Sequence, residues 1–205
     1  MNTPIFLTLE GVNGSGKSTA IKPLSSVFED FGLPYITTRE IGGNAFCESI
    51  RLLSFDTKLD NRTLALLAFA ARVEHVEKVI KPALQKGISV LCDRFDLSTY
   101  AYQGVQGGMP LPNILDIEKA VDLKWWKPYY TFILDAPFKV LKQRIQARDR
   151  GCRYDGLSED EVAKMQKFYA AHTTLKSGRF YMFDTSKDDA ITNMQDTLRR
   201  LIDGD

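Results

Sequence analysis

A glycine-rich turn near the N-terminus constrains the fold of this chain more than any other feature. Residues 11–18 read Gly-Val-Asn-Gly-Ser-Gly-Lys-Ser, and a short apolar run at residues 5–9 directly precedes them. This is the pattern G-x-x-x-x-G-K-[ST] between a strand and a helix, where glycines let backbone N–H groups surround phosphate oxygens. The pattern predicts a phosphate-binding loop and therefore a chain that binds a nucleoside triphosphate.

The polar residues of this loop have distinct expected roles. Lys17 should reach the β and γ phosphates, and the hydroxyl of Ser18 should hold Mg²⁺, which makes Mg²⁺ the expected cofactor. The residues expected to contact the triphosphate are Asn13, Gly14, Ser15, Gly16, Lys17, Ser18 and Thr19.

The length and charge of the chain limit its class. Its 205 residues fit one domain, residues 1–205, with a core of ordinary size. The chain has 27 Lys and Arg residues and 26 Asp and Glu residues, which gives a formal net charge of +1. So small a net charge does not indicate binding to nucleic acid or to a membrane.

The cysteines and the apolar segments indicate a compartment. Three widely spaced cysteines without a C-x-x-C pattern indicate reduced thiols rather than a disulfide framework or a metal site. The chain lacks a basic region followed by a long apolar run, so we expect no signal peptide and no membrane span. These features predict a cytoplasmic location.

Short apolar runs alternate with segments of helical spacing along the whole chain. The runs cover residues 5–9, 35–38, 88–92, 130–134 and 180–183. Their alternation predicts an α/β fold, a five-stranded parallel sheet flanked by helices, with ligands at the carboxyl ends of the strands.

Two arginines follow predicted strands, at the edge where such a sheet binds ligands. Arg39 follows the second run and Arg94 closely follows the third. Because a planar guanidinium suits bidentate phosphate contacts, both are predicted phosphate ligands rather than solvated surface charges. Further arginines lie in a long helical segment and around a glycine-containing loop after the fourth run: Arg72, Arg144, Arg148, Arg150 and Arg153.

One helical segment, residues 64–86, is unusually long. Asn61 suits its N-cap, and Gly87 suits its end. Its length and its Ala and Leu content allow one face to pack in the core and another on a partner subunit. The apolar residues near helical spacing are Leu64, Leu67, Ala68, Ala71 and Val79.

These motifs, taken in order, resemble the thymidylate kinase family, most closely its bacterial form, over nearly the whole chain. The most specific match is residues 93–104, Asp-Arg-Phe-Asp-Leu-Ser-Thr-Tyr-Ala-Tyr-Gln-Gly, which resemble D-R-H-D-L-S-T-Q-A-Y-Q-G. Residues 37–43 resemble T-R-E-P-G-G, residues 69–72 the A-A-R stretch, residues 80–84 I-K-P-A-L, and residues 183–185 the strand end near the adenine.

The resemblance implies a nucleoside monophosphate kinase of the P-loop NTPase fold, with a short lid at about residues 148–158. Such an enzyme transfers the γ-phosphoryl group of ATP to the 5′-phosphate of dTMP for DNA precursor synthesis. By position, Arg39 and Arg94 would hold the acceptor phosphate, and Arg72 would face O4 of the pyrimidine. Ser98 or Thr99 would lie near the base edge. Tyr102 would crowd C2′ and so select deoxyribose.

The resemblance also implies where the catalytic charge comes from. Eukaryotic members carry an arginine where this chain has Gly14, whereas bacterial members supply that charge from the lid, at the positions of Arg148 and Arg153. Lys17 and these two arginines would then neutralise the transferring phosphoryl group. Asp93 would join the catalytic set and hold Mg²⁺ with Ser18, directly or through water. Family members pair, so a homodimer is expected.

Three residues depart from the family pattern. Asn13 replaces the family's acidic residue, which forms a hydrogen bond with the acceptor's 3′-hydroxyl. The amide oxygen of Asn13 can still accept a hydrogen bond from that hydroxyl, but it carries no negative charge. Ile41 replaces the proline of T-R-E-P, and its peptide bond is expected to be trans because a non-proline cis bond costs about 3 kcal/mol. Ala68 replaces the phenylalanine that stacks on thymine, and Phe69 lies about 100° further around the helix.

Ala68 leaves the choice of base open. The base pocket is expected to be roomier or rebuilt, with Phe95 or Tyr100 closing it and Phe69 kept as a candidate substrate contact. The acceptor is then dTMP or, alternatively, dUMP or a 5-substituted dUMP, as expected of a bacteriophage enzyme that serves modified DNA. A third interpretation, a nucleotide-dependent switch, does not explain a second set of phosphate-binding arginines.

Overall fold

Five parallel strands form one sheet in the computed structural model, which describes residues 3–54, 59–123, 127–148, 151, 154–173 and 179–204. Their order across the sheet is β2-β3-β1-β4-β5. The strands are β1 (Phe6–Glu10), β2 (Tyr35–Arg39), β3 (Ser89–Asp93), β4 (Tyr130–Asp135) and β5 (Phe180–Asp184).

The predicted α/β fold is confirmed, and each strand ends one residue later than the apolar run that predicts it. The added residues are all charged, so they fall outside an apolar run although they continue the ladder of hydrogen bonds. They are Glu10, Arg39, Asp93, Asp135 and Asp184. The carboxyl edge of the sheet is therefore lined with charge.

Alternating residues of the inner strands face two apolar cores, as expected for a sheet covered on both sides. Leu7 and Leu9 of β1 belong to the core that includes α1 (Lys17–Asp30) and α9 (Ala190–Asp203). Phe6 belongs to the other core. The remaining helices are α2 (Ala45–Ser54), α3 (Asn61–His75), α4 (Lys81–Gln85), α5 (Asp96–Thr99), α6 (Leu111–Ala120), α7 (Phe138–Gln146) and α8 (Glu159–Thr173).

The long helical segment is not one regular helix. α3 continues into a π-helical segment, Val76–Ile80, and then into α4. Its N-cap is Asp60, whose side chain accepts from the backbone N–H of Arg62. The predicted cap, Asn61, instead donates its amide to the backbone oxygens of Gln103 and Gly107.

A second π-helical segment, Tyr100–Gln106, directly follows α5. It packs against α8 and against α3, so the second half of the match at residues 93–104 meets the long helical segment. No helix within the described ranges is long and apolar enough to cross a membrane.

Candidate active site

A cavity of about 930 Å³ lies at the carboxyl ends of β2 and β3, next to the phosphate loop. This volume is near the top of the range of about 300–1,000 Å³ for ligand pockets, so it has room for two substrates. The predicted site residues that line it are Asn13, Gly16, Lys17, Ser18, Thr19, Arg39, Arg72, Asp93, Arg94, Ser98, Thr99, Tyr102 and Arg148.

Four predicted site residues are not among those that line the cavity. Gly14 and Ser15 are buried in the phosphate loop beside it. Phe69 is only 2% exposed and packs in the core, because its position on α3 turns it away from the cavity that Ala68 and Arg72 line. Arg153 lies outside the described residues.

The phosphate loop depends on glycines with left-handed backbone. Gly11 has a φ of 138°, and a Cβ there would lie 2.1 Å from the carbonyl oxygen of Leu134. Gly16, with a φ of 91°, begins α1 without a side-chain cap. The first backbone N–H groups of this helix are therefore open to an anion, as in other phosphate sites.

Lys17 is held inside the loop. Its Nζ donates to the backbone oxygens of Gly11 at 2.9 Å and Val12 at 2.8 Å, and to Ser15 Oγ at 3.2 Å. Burial, and next the positive charge of Arg94, lower the pKa of Lys17 well below its ordinary value. A phosphate group would reverse this effect, because an opposite charge stabilises the ammonium form.

Ser18 and Asp93 both line the cavity and lie next to each other. Ser18 Oγ donates to Asp93 Oδ2 at 3.0 Å. The other oxygen of this carboxylate, Oδ1, is buried and has no hydrogen-bond partner within the described part of the chain. A hydroxyl and a partly unsatisfied carboxylate form an oxygen donor set of the kind that Mg²⁺ prefers.

Arg94 donates hydrogen bonds to four groups beside the cavity. Its Nη1 donates to Gly11 O and Ser98 Oγ, and its Nη2 donates to Asn13 Oδ1 and Tyr102 OH, at 2.7–3.3 Å. All four acceptors are neutral. An anion would compete with them well, because a guanidinium binds an anion more strongly than a neutral acceptor.

Arg39 is already paired on the rim of the cavity. Its Nε and Nη2 donate to the carboxylate of Glu48 in α2, with the shortest distances at 2.9 Å. Both side chains are well exposed, at 52% and 40%. A phosphate that binds Arg39 must therefore share it with Glu48, a partner that the sequence pattern does not indicate.

Arg72 is held by a buried polar network. Its Nε donates to Glu40 Oε2 at 2.7 Å, and its Nη2 donates to Phe95 O and Thr99 Oγ1. The other oxygen of Glu40 binds His75 Nδ1 at 3.0 Å. Arg72 Nη1 has no partner among the described residues, and Arg72 lines the cavity. The network therefore leaves one donor group of the guanidinium for a ligand.

The segment that follows Glu40 contradicts one expectation. The peptide bond between Glu40 and Ile41 is cis, whereas a trans bond is expected at a non-proline residue. Contacts on both sides hold this segment: Glu40 is bound by Arg72, and the backbone oxygen of Ile41 accepts from Arg51 Nη1 at 2.9 Å. Ile41 thus keeps the cis geometry without the proline.

The residues that line the cavity also include Leu64, Ala68 and Phe95. Phe95 is one of the two residues expected to close the base pocket. The other, Tyr100, does not line the cavity; its hydroxyl donates to Glu118 at 2.9 Å. Tyr100 is turned away because it belongs to a buried polar group with Glu118, Lys127 and Asp96.

Glu10 is a site residue that sequence reasoning did not identify. It is fully buried at the end of β1 and accepts from the backbone N–H groups of Phe95 and Ser98 and from Ser98 Oγ. Burial raises the pKa of Glu10 to about 7, against a lowering by its hydrogen bond with Ser98. Glu10 therefore positions the turn that carries Arg94 and Ser98.

Arg144, one of the arginines that the sequence analysis names around the loop after the fourth run, is joined to the site. It donates to Thr185 Oγ1 at 2.8 Å and to Thr185 O at 2.7 Å, and weakly to Gly14 O, and so links α7 to the loop after β5. Thr185 falls in the segment that the resemblance puts near the adenine. The missed lining residues include Gln103, which lies within the motif at residues 93–104, and Arg51, Leu52 and Tyr154, for which no local motif gives a signal.

Comparison with known proteins identifies the family. A family model described as thymidylate kinase matches residues 9–196. The thymidylate kinase of Neisseria gonorrhoeae is 36% identical over 98% of this chain and 97% of that protein. The thymidylate kinase of Pseudomonas fluorescens is 35% identical over 98% of this chain and 95% of that protein. The thymidylate kinase of Ectopseudomonas mendocina is 42% identical over 75% of this chain and 74% of that protein. The chain belongs to the thymidylate kinase family.

Proposed function

We propose that this chain transfers the γ-phosphoryl group of ATP to dTMP within the single cavity described above. One observation supports this proposal best: cationic side chains from two different parts of the fold line the cavity, Lys17 on the phosphate loop and Arg39 with Arg94 at the ends of β2 and β3. A donor triphosphate needs the first group and an acceptor phosphate needs the second. A nucleotide-dependent switch needs only the first.

The donor side is built from the phosphate loop. Open backbone N–H groups at the start of α1 and the charge of Lys17 would bind the β and γ phosphates, with Gly14, Ser15 and Thr19 completing the loop. Lys17 leaves its three protein acceptors as the phosphates arrive. Thr185, which Arg144 holds beside the loop, supports an adenine site on that side.

A magnesium ion fits the site. Ser18 Oγ and Asp93, whose Oδ1 has no partner among the described residues, would hold it, directly or through water. When bound, the ion neutralises negative charge on the phosphate oxygens.

The acceptor side is assigned to residues from β2, from the position after β3, from α3, from α5 and from the π-helical segment Tyr100–Gln106. Arg94 and Arg39 would bind the 5′-phosphate, and Tyr102 would border C2′ of the sugar. Arg72, whose Nη1 has no partner in the described part of the chain, would donate to O4 of the base, beside Thr99 and Ser98. A 4-oxo pyrimidine accepts this hydrogen bond, whereas the amino group of cytosine is a donor and would leave Arg72 unpaired.

Arg148 and Arg153 are assigned to the transferring phosphoryl group. Arg148 lines the cavity from the end of α7, and its positive charge contributes to the lowered pKa of Lys17, which places it near the loop. Cations aimed at the moving group lower the barrier because phosphoryl transfer depends on positioning and charge neutralisation. Arg153 is assigned by its position in the lid pattern alone.

We also propose a homodimer and a cytoplasmic location. α3 packs against both α2 and α6, and all three helices carry exposed large apolar side chains. A second copy would cover such a surface through a two-fold contact. Cys47 and Cys92 are free thiols, as expected in a reducing compartment. The exposed residues are Phe46, Leu52, Leu53, Leu66, Leu111 and Leu115.

A coupled assay for ADP release tests the function. The purified protein is given MgATP with dTMP, dUMP, 5-hydroxymethyl-dUMP, dCMP, dAMP, dGMP or no acceptor. We expect rapid ADP release with dTMP and slow release with dCMP and the purines. ADP release that is equal with and without acceptors would favour a nucleotide-dependent switch. A purine monophosphate as the best acceptor would show that the assignment of dTMP as substrate is wrong.

A further inference from the structure

The amide of Asn13 uses both of its ends in the site. Its Nδ2 donates to Asp155 Oδ1 at 2.8 Å. Its Oδ1 accepts from Arg94 Nη2 at 2.7 Å and from Tyr102 OH at 3.0 Å. One small side chain therefore joins the phosphate loop, the acceptor side and the segment between α7 and α8.

The chemistry of the partners permits only one orientation of this amide. Arg94 has no acceptor atom, so it must face the amide oxygen, and an ionised Asp155 has no donor, so it must face the amide nitrogen. Neither an aspartate nor a leucine at position 13 could satisfy both neighbours. The position thus requires a group that accepts on one side and donates on the other.

Asp155 belongs to a segment that is anchored on the acceptor side. The ring of its neighbour, Tyr154, lies 4.6 Å from the ring of Tyr102, and Tyr154 OH accepts from Gln103 Nε2 at 3.1 Å. Tyr154 also lines the cavity. The hydrogen bond from Asn13 to Asp155 therefore connects the phosphate loop to the segment between α7 and α8, and both border the proposed acceptor site.

We propose that Asp155 is a positioning residue for the acceptor site, and that it acts through Asn13 on Arg94 and Tyr102. Asp155 holds the Asn13 amide in the orientation that directs its oxygen toward the guanidinium and the phenol. Loss of Asp155 frees the amide to rotate, so the acceptor that Asn13 Oδ1 offers to Arg94 Nη2 and to the Tyr102 hydroxyl is no longer fixed. The inference rests on the proposed assignment of these two residues to the acceptor.

The experiment is a double-mutant cycle at positions 13 and 155, with KM measured separately for dTMP and ATP. We expect Asp155→Ala to raise the KM for dTMP about tenfold, which is typical for loss of a hydrogen bond to a charged group, with little change in the KM for ATP. Asp155→Asn keeps an oxygen that accepts from Asn13, so its KM for dTMP should stay within about threefold of the wild type. In an Asn13→Ala background, Asp155→Ala should have no further effect.

Two controls separate this effect from simple loss of structure. Asp160→Ala, an exposed carboxylate in the first turn of α8, should leave both KM values unchanged. Thermal unfolding should give the same midpoint for Asp155→Asn and the wild type. Additive effects of Asn13→Ala and Asp155→Ala, or an Asp155→Asn variant as impaired as Asp155→Ala, would overturn the inference.

Arg94→Ala distinguishes failure of this inference from failure of the acceptor assignment. If Arg94→Ala leaves the KM for dTMP unchanged, the proposed acceptor site is wrong, and the role of Asp155 falls with it. If Arg94→Ala raises the KM for dTMP while the cycle at positions 13 and 155 is additive, the acceptor site stands and only the positioning role is wrong.

Discussion

Arg72 donates its Nε–H to Glu40 across 2.7 Å, and the two side chains are only 3% and 4% exposed. Such a pair is costly to bury, and it is retained here because His75 and Thr99 satisfy further atoms of the same network. The guanidinium is thereby fixed, with one donor group left for the cavity. The pair therefore sets both the position and the charge of Arg72 at the cavity wall.

We expect Glu40→Gln to damage both stability and acceptor binding. Glutamine matches the shape of glutamate but leaves the buried charge of Arg72 uncompensated, which should lower the free energy of unfolding by roughly 3 kcal/mol. The KM for dTMP should rise at least about tenfold, because Arg72 no longer has a fixed orientation. Urea denaturation and steady-state kinetics measure the two effects.

Glu48→Gln is the matched control, since Glu48 forms an arginine pair that is exposed. Its effect on the free energy of unfolding should stay below about 1 kcal/mol. Equal destabilisation by the two variants would contradict a special role for the buried pair.

Glu10 makes stability depend on pH. Its pKa in the folded protein is raised to about 7 from 4.5, so the folded state holds its proton more tightly than the unfolded chain. The stabilisation is fully present below pH 4.5 and is lost as the pH rises through about 7. Relative to Glu10→Gln, the free energy of unfolding should therefore fall by about 3 kcal/mol across this window.

The measurement is urea denaturation of both proteins at several pH values, and the quantity of interest is their difference. Taking the difference removes the titration of all other groups that the two proteins share. A difference that stays constant from pH 4.5 to pH 8 would show that Glu10 has an ordinary pKa.

Lys17→Ala should lower kcat by about a hundredfold or more, because the variant lacks a charge that stabilises the transferring phosphoryl group. The fold should survive, since the loop backbone is held by its glycines and by α1. Lys22→Ala removes an exposed lysine of the same helix and should leave kcat unchanged. Near-normal turnover by Lys17→Ala would show that Lys17 does not stabilise the transferring phosphoryl group.

The sheet could be predicted from sequence because strand positions depend on local apolar runs. The sequence did not show that the long helical segment consists of α3, a π-helical segment and α4. The π-helical segment Val76–Ile80 is too short to change the spacing of apolar residues visibly. The cap at Asp60 was missed because Asn61 has an equally suitable side chain. Local rules alone do not choose between two such neighbours.

Sequence patterns named arginines that line the cavity, but not the carboxylates that bind them. Arg39, Arg72 and Arg94 were named from their positions after strands or in a motif. Glu48, which binds Arg39, and Glu40, which binds Arg72, lie 9 and 32 residues from them in the chain, and only the fold brings each pair together. Such pairings are tertiary contacts, for which residue type gives no spacing rule.

Leu66→Glu should convert the proposed dimer into a monomer. Leu66 is 57% exposed on α3, and a charge there would be buried without a partner in a two-fold contact. Sedimentation at micromolar concentration should give the 23.2 kDa monomer for the variant and twice that mass for the wild type. Met182→Glu, on the edge strand β5, is the control and should remain dimeric. A wild-type monomer at this concentration would count against the dimer.

Ala68→Phe should narrow the base pocket. Ala68 lies one turn before Arg72 on α3 and lines the cavity, so a ring at this position would point toward the space beside the base. A stacked ring adds about 1 kcal/mol, which corresponds to about a fivefold lower KM for dTMP. Acceptors with a larger 5-substituent, such as 5-hydroxymethyl-dUMP, should lose kcat/KM in the same variant.

Ala70→Phe provides the control, because Ala70 is exposed on the same helix and does not line the cavity. Its ring should leave the KM for dTMP and the preference among acceptors unchanged. In the wild type, the room left by Ala68 predicts comparable kcat/KM for dTMP, dUMP and 5-hydroxymethyl-dUMP. A thousandfold preference of the wild type for dTMP would mean that another side chain already fills this space, and the roomier pocket would then be wrong.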